Sequence, residues 1–99
     1  MEGEFVMGKT ALLIIDMQND FCLPGAPFEV KGALAVATQI KKAMDAGRSY
    51  GLPIVHIIRH YRADGIDVEI TRFRAFIENG GALIEGTKGA EIIDELKPV

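Results

Sequence analysis

The stretch that decides the fold is residues 11–21, which read ALLIIDMQNDF. Five apolar residues, 11–15, run without a break into Asp16. A short apolar run of this kind is typical of a strand with both faces covered, as in a parallel sheet. Asp16 follows at the carboxyl end of that strand, where open α/β sheets form their ligand crevice. The pattern therefore makes Asp16 either a turn-capping residue or a carboxylate with a chemical role.

A helix and a second strand follow the first strand. We predict a strand over 10–16, a loop over 17–32, a helix over 33–50 and a strand over 54–58. The helix has one apolar face at helical spacing, made of Val36, Ala37, Ile40, Ala43, Met44 and Gly47. This order indicates a parallel βαβ unit with a right-handed crossover.

The remaining chain contains fewer regular elements. We expect residues 1–8 to be a flexible lead-in, residues 62–66 to form a turn, and residues 79–81, Asn-Gly-Gly, to break the chain. A short helix is predicted over 69–78 with Ile70, Phe73, Phe76 and Ile77 facing inward, and a final helix over 89–96. Two strands alone leave apolar sheet edges open. We therefore predict the N-terminal portion of a single α/β domain, a partial doubly wound, Rossmann-like three-layer sandwich.

Composition narrows the class of protein. The chain has 99 residues, 48% of them hydrophobic, and a net charge of −3 without a basic cluster, which disfavours nucleic-acid binding. No apolar run approaches the roughly 20 residues of a membrane span, and no secretory signal precedes residue 10. The lone Cys22 cannot form an intrachain disulfide, so we expect a cytoplasmic protein. An acidic loop after the first strand, in place of a glycine-rich one, disfavours a nucleotide-binding module.

Several segments in order resemble the isochorismatase-like cysteine hydrolases. They are DMQNDF at 16–21, GLPIVHIIRH at 51–60, RADG at 62–65 and EGTKGAEI at 85–92, and the resemblance extends from about Thr10 onward. It implies an isochorismatase-like fold and hydrolysis of a small amide, carbamoyl or vinyl-ether substrate, chiefly at C–N bonds other than peptide bonds. It also implies a homo-oligomer.

The resemblance implies a catalytic Asp, Lys and Cys, and Asp16 matches the Asp. The Lys and the nucleophilic Cys would follow Val99, so we expect the 99-residue chain alone to be inactive. Two interpretations stay open. The chain is the N-terminal half of a hydrolase, or it is an inactive fragment or interaction subunit that another chain completes.

Three further residues are candidates for substrate binding. The resemblance places Phe21 in the substrate pocket, whereas ordinary core packing is the alternative. Gln18 is positioned to hydrogen-bond Asp16 or its loop, or to be a satisfied structural amide. Arg59 ends the second strand and either binds a substrate carboxylate or pairs with Asp16, Asp20 or Asp64.

The thiol and the histidines carry weaker signals. Cys22 follows Asp16 closely, but no adjacent cation lowers its pKa, so a small buried residue is the preferred interpretation. His56 and His60 suggest a metal, yet the Asp-x-His pattern of metal-binding relatives is missing and Arg59 adjoins them. We expect no metal and no other cofactor.

Overall fold

The structure, a computed structural model, describes residues 9–98, and the lead-in predicted for residues 1–8 lies outside this range. Its strands are β1 (Leu12–Ile15) and β2 (Ile54–Ile57), and its α-helices are α1 (Asn19–Cys22), α2 (Ala37–Ser49) and α3 (Ile70–Glu78). Short 3₁₀ turns occupy Leu34–Val36, Lys88–Ala90 and Asp94–Leu96. None of the helices in residues 9–98 is long and apolar enough to cross a membrane.

The two strands form a parallel sheet joined through α2. Leu12 lies opposite Ile54 and Ile15 opposite Ile57. Backbone hydrogen bonds from Leu12 N to Pro53 O (3.0 Å) and from Asp16 N to Ile57 O (2.8 Å) fix the two ends of the pairing. The predicted βαβ unit is thereby confirmed, as is a partial α/β fold with a parallel sheet.

Only one face of this sheet is covered by described residues. Leu12 and Ile54 meet α2 at Gly47, where an added Cβ would lie 3.0 Å from Ile54 Cδ1. The absence of a side chain at Gly47 therefore lets the helix approach the sheet closely. The opposite face carries four apolar side chains that are each about half exposed: Leu13, Ile15, Val55 and Ile57.

The loop after β1 belongs to the core. It contains the helical turn α1, which the sequence analysis missed, and Phe21 and Cys22 in that turn are buried. The core also takes in Met44 of α2, Leu83 and Leu96, which are almost fully buried. The segment that follows Asp16 is thus fixed by packing on both sides.

The helix predicted over 89–96 was wrong, because tertiary hydrogen bonds use backbone N–H and C=O groups that a helix would need. Asn19 N donates to Glu91 O (2.8 Å), and Ile93 N donates to Met17 O (3.0 Å). Residue 92 pairs with Gln18 in an antiparallel bridge. The segment is therefore extended between two 3₁₀ turns and runs beside the loop after β1.

The inward face predicted for α3 was wrong for three of its four residues. Phe76 is buried and meets Tyr61 edge to face, with ring centroids 5.9 Å apart. Ile70 is 91% exposed, and Phe73 and Ile77 are also exposed. Of the four apolar residues predicted to face inward, only Phe76 is therefore part of the core.

Candidate active site

Asp16 lies in a backbone kink directly after β1. Its φ is +62°, a left-handed conformation that residues other than glycine seldom adopt and that Asp and Asn tolerate best. The hydrogen bond to Ile57 O holds the Asp16 backbone against β2. The kink ends the strand and fixes the position of the Asp16 side chain at the end of β1.

A cavity of about 350 Å³ lies at the carboxyl ends of β1 and β2. Its lining comprises Ile15, Asp16, Ile57, Ile58, Arg59, His60, Tyr61, Asp67 and Glu69. Among the described residues none donates a hydrogen bond to the Asp16 carboxylate, which is partly exposed. Asp16 therefore lines this cavity, and its carboxylate caps no turn within residues 9–98.

Arg59 forms an ion pair with Glu69 across the same cavity. Within residues 9–98 Arg59 forms no ion pair with Asp16, Asp20 or Asp64, the three partners considered from the sequence. The phenol of Tyr61, followed by the charges of Glu69 and Asp16, raises the pKa of Arg59. A substrate carboxylate at Arg59 would have to compete with Glu69, so this role stays a prediction.

Glu69 lies directly before α3, and its side chain contacts two residues that follow β2. Besides pairing with Arg59, it accepts a hydrogen bond from Tyr61 Oη at 2.5 Å. That hydrogen bond and the nearby guanidinium lower the pKa of Glu69, whereas burial and the same hydrogen bond raise the pKa of Tyr61. The cavity thus holds three carboxylates, of Asp16, Asp67 and Glu69, against the one guanidinium of Arg59.

Gln18 is fully buried, and its side chain connects the loop after β1 to the backbone at Arg59 and Ala90. Nε2 donates to Arg59 O and to Ala90 O, each at 2.8 Å, and Oε1 accepts from Arg59 N at 2.9 Å. These contacts are those of a satisfied structural amide, which was one of the two interpretations of the sequence. A contact between Gln18 and a substrate stays a prediction.

Phe21 packs beneath Arg72 of α3. Its ring centroid lies 6.3 Å from that of Phe28 and 5.6 Å from Arg72 Cζ, within the range of a cation–π contact. Phe21 is not among the residues that line the Asp16 cavity. Its contacts are those of core packing, and a role in the substrate pocket stays a prediction.

Cys22 has the surroundings of an inert thiol. It is only 2% exposed, and Sγ lies 3.9 Å from Met17 Sδ. Burial, and then the charge of Glu95, raise the pKa of Cys22, which disfavours the thiolate that a nucleophile needs.

The two histidines have different surroundings. Both ring nitrogens of His56 are buried without a hydrogen-bond partner among the described residues, and burial lowers its pKa. His60 lies on the surface of the Asp16 cavity. Within residues 9–98 no group of three or more His, Cys, Asp or Glu side chains is arranged to hold a metal ion.

The sequence analysis missed Tyr61, Asp67 and Glu69 as parts of this site. Acidic residues directly before an apolar-periodic segment are a helix-start signal, which marks Asp67 and Glu69. No periodicity marks Tyr61. Only the fold shows that these residues return to the carboxyl ends of the strands.

A parallel two-stranded sheet, with Asp16 beside a cavity at the carboxyl ends of its strands, defines an α/β protein. The family model described as "Isochorismatase domain" matches residues 10–99. The chain belongs to the isochorismatase family, and its predicted membership and fold class are confirmed.

Known relatives and a solved structure agree with this membership. A "Probable inactive nicotinamidase" of Arabidopsis thaliana is 39% identical over 89 residues, which are 89% of this chain and 45% of that protein. A ureidoacrylate amidohydrolase of Agrobacterium fabrum is 28% identical over 91% of this chain and 47% of its own length. The crystal structure of an isochorismatase family protein from Desulfovibrio vulgaris superposes with a TM-score of 0.83 at 47% identity, over 90% of this chain and 47% of that one. The chain thus spans about half the length of the relatives it matches.

Proposed function

We propose that this chain supplies the proton-transferring carboxylate, Asp16, of a cysteine hydrolase that cleaves a C–N bond other than a peptide bond. The observation that carries the proposal is the Asp16 carboxylate, free of hydrogen bonds from residues 9–98 and facing a cavity at the carboxyl ends of parallel strands. The substrate class is a small amide or carbamoyl compound. The name of the Agrobacterium fabrum relative, an amidohydrolase, supports the ureido and amide members of this class.

In this reaction Asp16 acts first as a general base and then as a general acid. Asp16 takes the proton of a thiol as the sulfur adds to the carbonyl carbon, and returns it to the nitrogen as the C–N bond breaks. Water then cleaves the thioester, with Asp16 again taking and returning a proton. Arg59 lines the same cavity and places a positive charge near the Asp16 carboxylate.

The thiol of this reaction is not Cys22, because that residue is buried and its pKa is raised. In this proposal the thiol and an ammonium group come from polypeptide that completes the sheet. The 99-residue chain alone is then inactive, and its partners are a small-molecule substrate and a complementing chain or further copies of itself.

A reconstituted hydrolase tests the proposal. The 99-residue chain is refolded together with the part of the Desulfovibrio vulgaris protein that it does not match, and hydrolysis of ureidoacrylate and nicotinamide is followed by chromatography. We expect no hydrolysis by the chain alone, and hydrolysis by the mixture that Asp16→Asn lowers by about 10² to 10⁴-fold. Asn keeps the size and the left-handed tolerance of Asp, so the variant replaces the proton-accepting carboxylate by a neutral amide at the same place.

Three results would contradict parts of this proposal. Hydrolysis by the chain alone, lost in Asp16→Asn, would refute the need for a complement. Undiminished hydrolysis by the Asp16→Asn mixture would refute the role of the carboxylate. A folded but inactive mixture would favour the second candidate, a non-catalytic interaction subunit, which the name of the Arabidopsis thaliana relative also suggests.

A further inference from the structure

The ion pair between Arg59 and Glu69 lies in the wall of the Asp16 cavity. The Glu69 carboxylate contacts two donors at once, the guanidinium of Arg59 and, at 2.5 Å, the phenol of Tyr61. All of these residues line the cavity. The guanidinium of Arg59 is therefore paired with a carboxylate of the chain itself.

Arg59 offers a ligand only one side of its guanidinium fork. Its Nε is buried and has no hydrogen-bond partner among residues 9–98, so a ligand can reach only the two Nη atoms. Glu69 contacts Nη1. A bidentate contact uses two N–H groups of the fork, so a substrate carboxylate would have to displace Glu69 before it could form one.

Carboxylates outnumber basic groups in the cavity lining. Three carboxylates line it, those of Asp16, Asp67 and Glu69, and the basic residues in the lining are Arg59 and His60. Like charges repel a further carboxylate in such a site. Uncharged N–H groups, by contrast, would find carboxylate oxygens to which they can donate hydrogen bonds.

We propose that Glu69 is a specificity-determining residue, which makes the cavity prefer uncharged amide or ureido substrates by occupying the guanidinium that a substrate carboxylate would need. The proposal rests on the proposed function for placing the substrate in the Asp16 cavity. A ureido group carries N–H donors and no charge, so it matches a lining rich in carboxylate oxygens. Both an attractive and a repulsive element thus act in the same direction.

Two features favour Glu69 over a substrate carboxylate as the partner of Arg59. Glu69 is fixed at the start of α3, so it does not lose the translational and rotational freedom that a free ligand loses on binding. Its displacement would also break the hydrogen bond from Tyr61 Oη. Because the Arg59 and Glu69 side chains are 36% and 42% exposed, solvent screens the pair, and we expect a graded preference and not a complete exclusion of carboxylates.

Two ligands that differ in one charged group test the proposal. The probes are ureidoacetate and its uncharged isostere ureidoacetamide, titrated into the ¹⁵N-labelled 99-residue chain at pH 8, where histidine is neutral. The backbone amides of Asp16, Arg59 and Tyr61 report binding. We expect ureidoacetamide to bind at least about tenfold more tightly than ureidoacetate. Equal affinities, a preference for ureidoacetate, or no binding of ureidoacetamide would overturn the proposal.

A variant of Glu69 and a matched control identify the residue responsible. Glu69→Gln keeps the size of the side chain and removes its charge, so we expect ureidoacetate to bind at least about tenfold more tightly and ureidoacetamide to stay within about threefold. Glu78→Gln removes a carboxylate from the other end of α3, where Glu78 pairs with Arg74 outside the cavity lining, and should change neither affinity. Adding Arg59→Gln to Glu69→Gln should abolish the gain.

These variants give the proposal three further ways to fail. It is overturned if Glu69→Gln leaves the preference unchanged, if Glu78→Gln changes it as much, or if the gain survives the loss of Arg59.

Hydrolysis by the reconstituted mixture separates this proposal from the proposed function. The expected binding preference without Asp16-dependent hydrolysis would refute the proposed function and leave the selection by Glu69 intact. Asp16-dependent hydrolysis with a higher kcat/KM for ureidoacetate than for ureidoacetamide would refute the selection and leave the proposed function intact.

Discussion

Replacing Gln18 by Ala should remove much of the stability of this chain. The side chain makes three hydrogen bonds to backbone groups: two partly buried ones to Arg59, of 2.8 and 2.9 Å, and a buried one to Ala90, of 2.8 Å. At about 1 kcal/mol net for each bond, the loss is about 3 kcal/mol. A domain of this length is stable by only about 5 to 15 kcal/mol. We therefore expect the variant to fold but to lie much closer to its unfolding midpoint.

Urea denaturation followed by far-UV circular dichroism measures this loss. The midpoint should fall while the slope stays the same, since the surface exposed on unfolding hardly changes. Gln39→Ala is the control, because Gln39 is exposed on α2, and it should change the free energy of unfolding by less than about 0.5 kcal/mol. If Gln18→Ala lowers the free energy of unfolding by less than about 1 kcal/mol, the three hydrogen bonds of Gln18 contribute little to stability.

Three further predictions concern neighbouring groups. The hydrogen bond from Tyr61 and the ion pair with Arg59 lower the pKa of Glu69, so the ionised carboxylate stabilises the fold at neutral pH. This contribution is lost as the pH falls through the lowered pKa. Glu69→Gln should remove that part of the pH dependence of the free energy of unfolding in urea. Gly89→Ala should destabilise by about 1 to 3 kcal/mol in the same assay, because its Cβ would collide with the Asp20 carboxylate. Alkylation of Cys22 by iodoacetamide should be at least about 100-fold slower in the folded chain than in urea, because the thiol is buried and its pKa is raised.

The central unit could be predicted because its signals are local. The apolar run before Asp16, the periodicity of α2 and the second apolar run at 54–58 each reflect burial of a single element, and the structure has a strand, a helix and a strand at these places. The position of Asp16 at a ligand edge follows from the end of its strand. Its left-handed backbone adds what the sequence could not show, which is the direction in which the chain leaves the sheet.

The failures are tertiary in origin. Residues 89–96 have a helical pattern, but their backbone groups bond to residues 17–19 across the fold. The apolar pattern of α3 predicts a buried face without saying what buries it, and Ile70 is exposed as a result. The partner of Arg59 is Glu69, which the turn at 62–68 brings back to the cavity. The spacing of residues along the sequence does not predict which side chains come into contact in the fold.

The left-handed kink at Asp16 has an evolutionary consequence. Asp and Asn are the non-glycine residues that most readily adopt this backbone, and their codons differ by a single base. One base change can therefore discard the carboxylate while the bend at the end of β1 stays intact. Relatives that keep this bend without the carboxylate are thus easily reached in sequence.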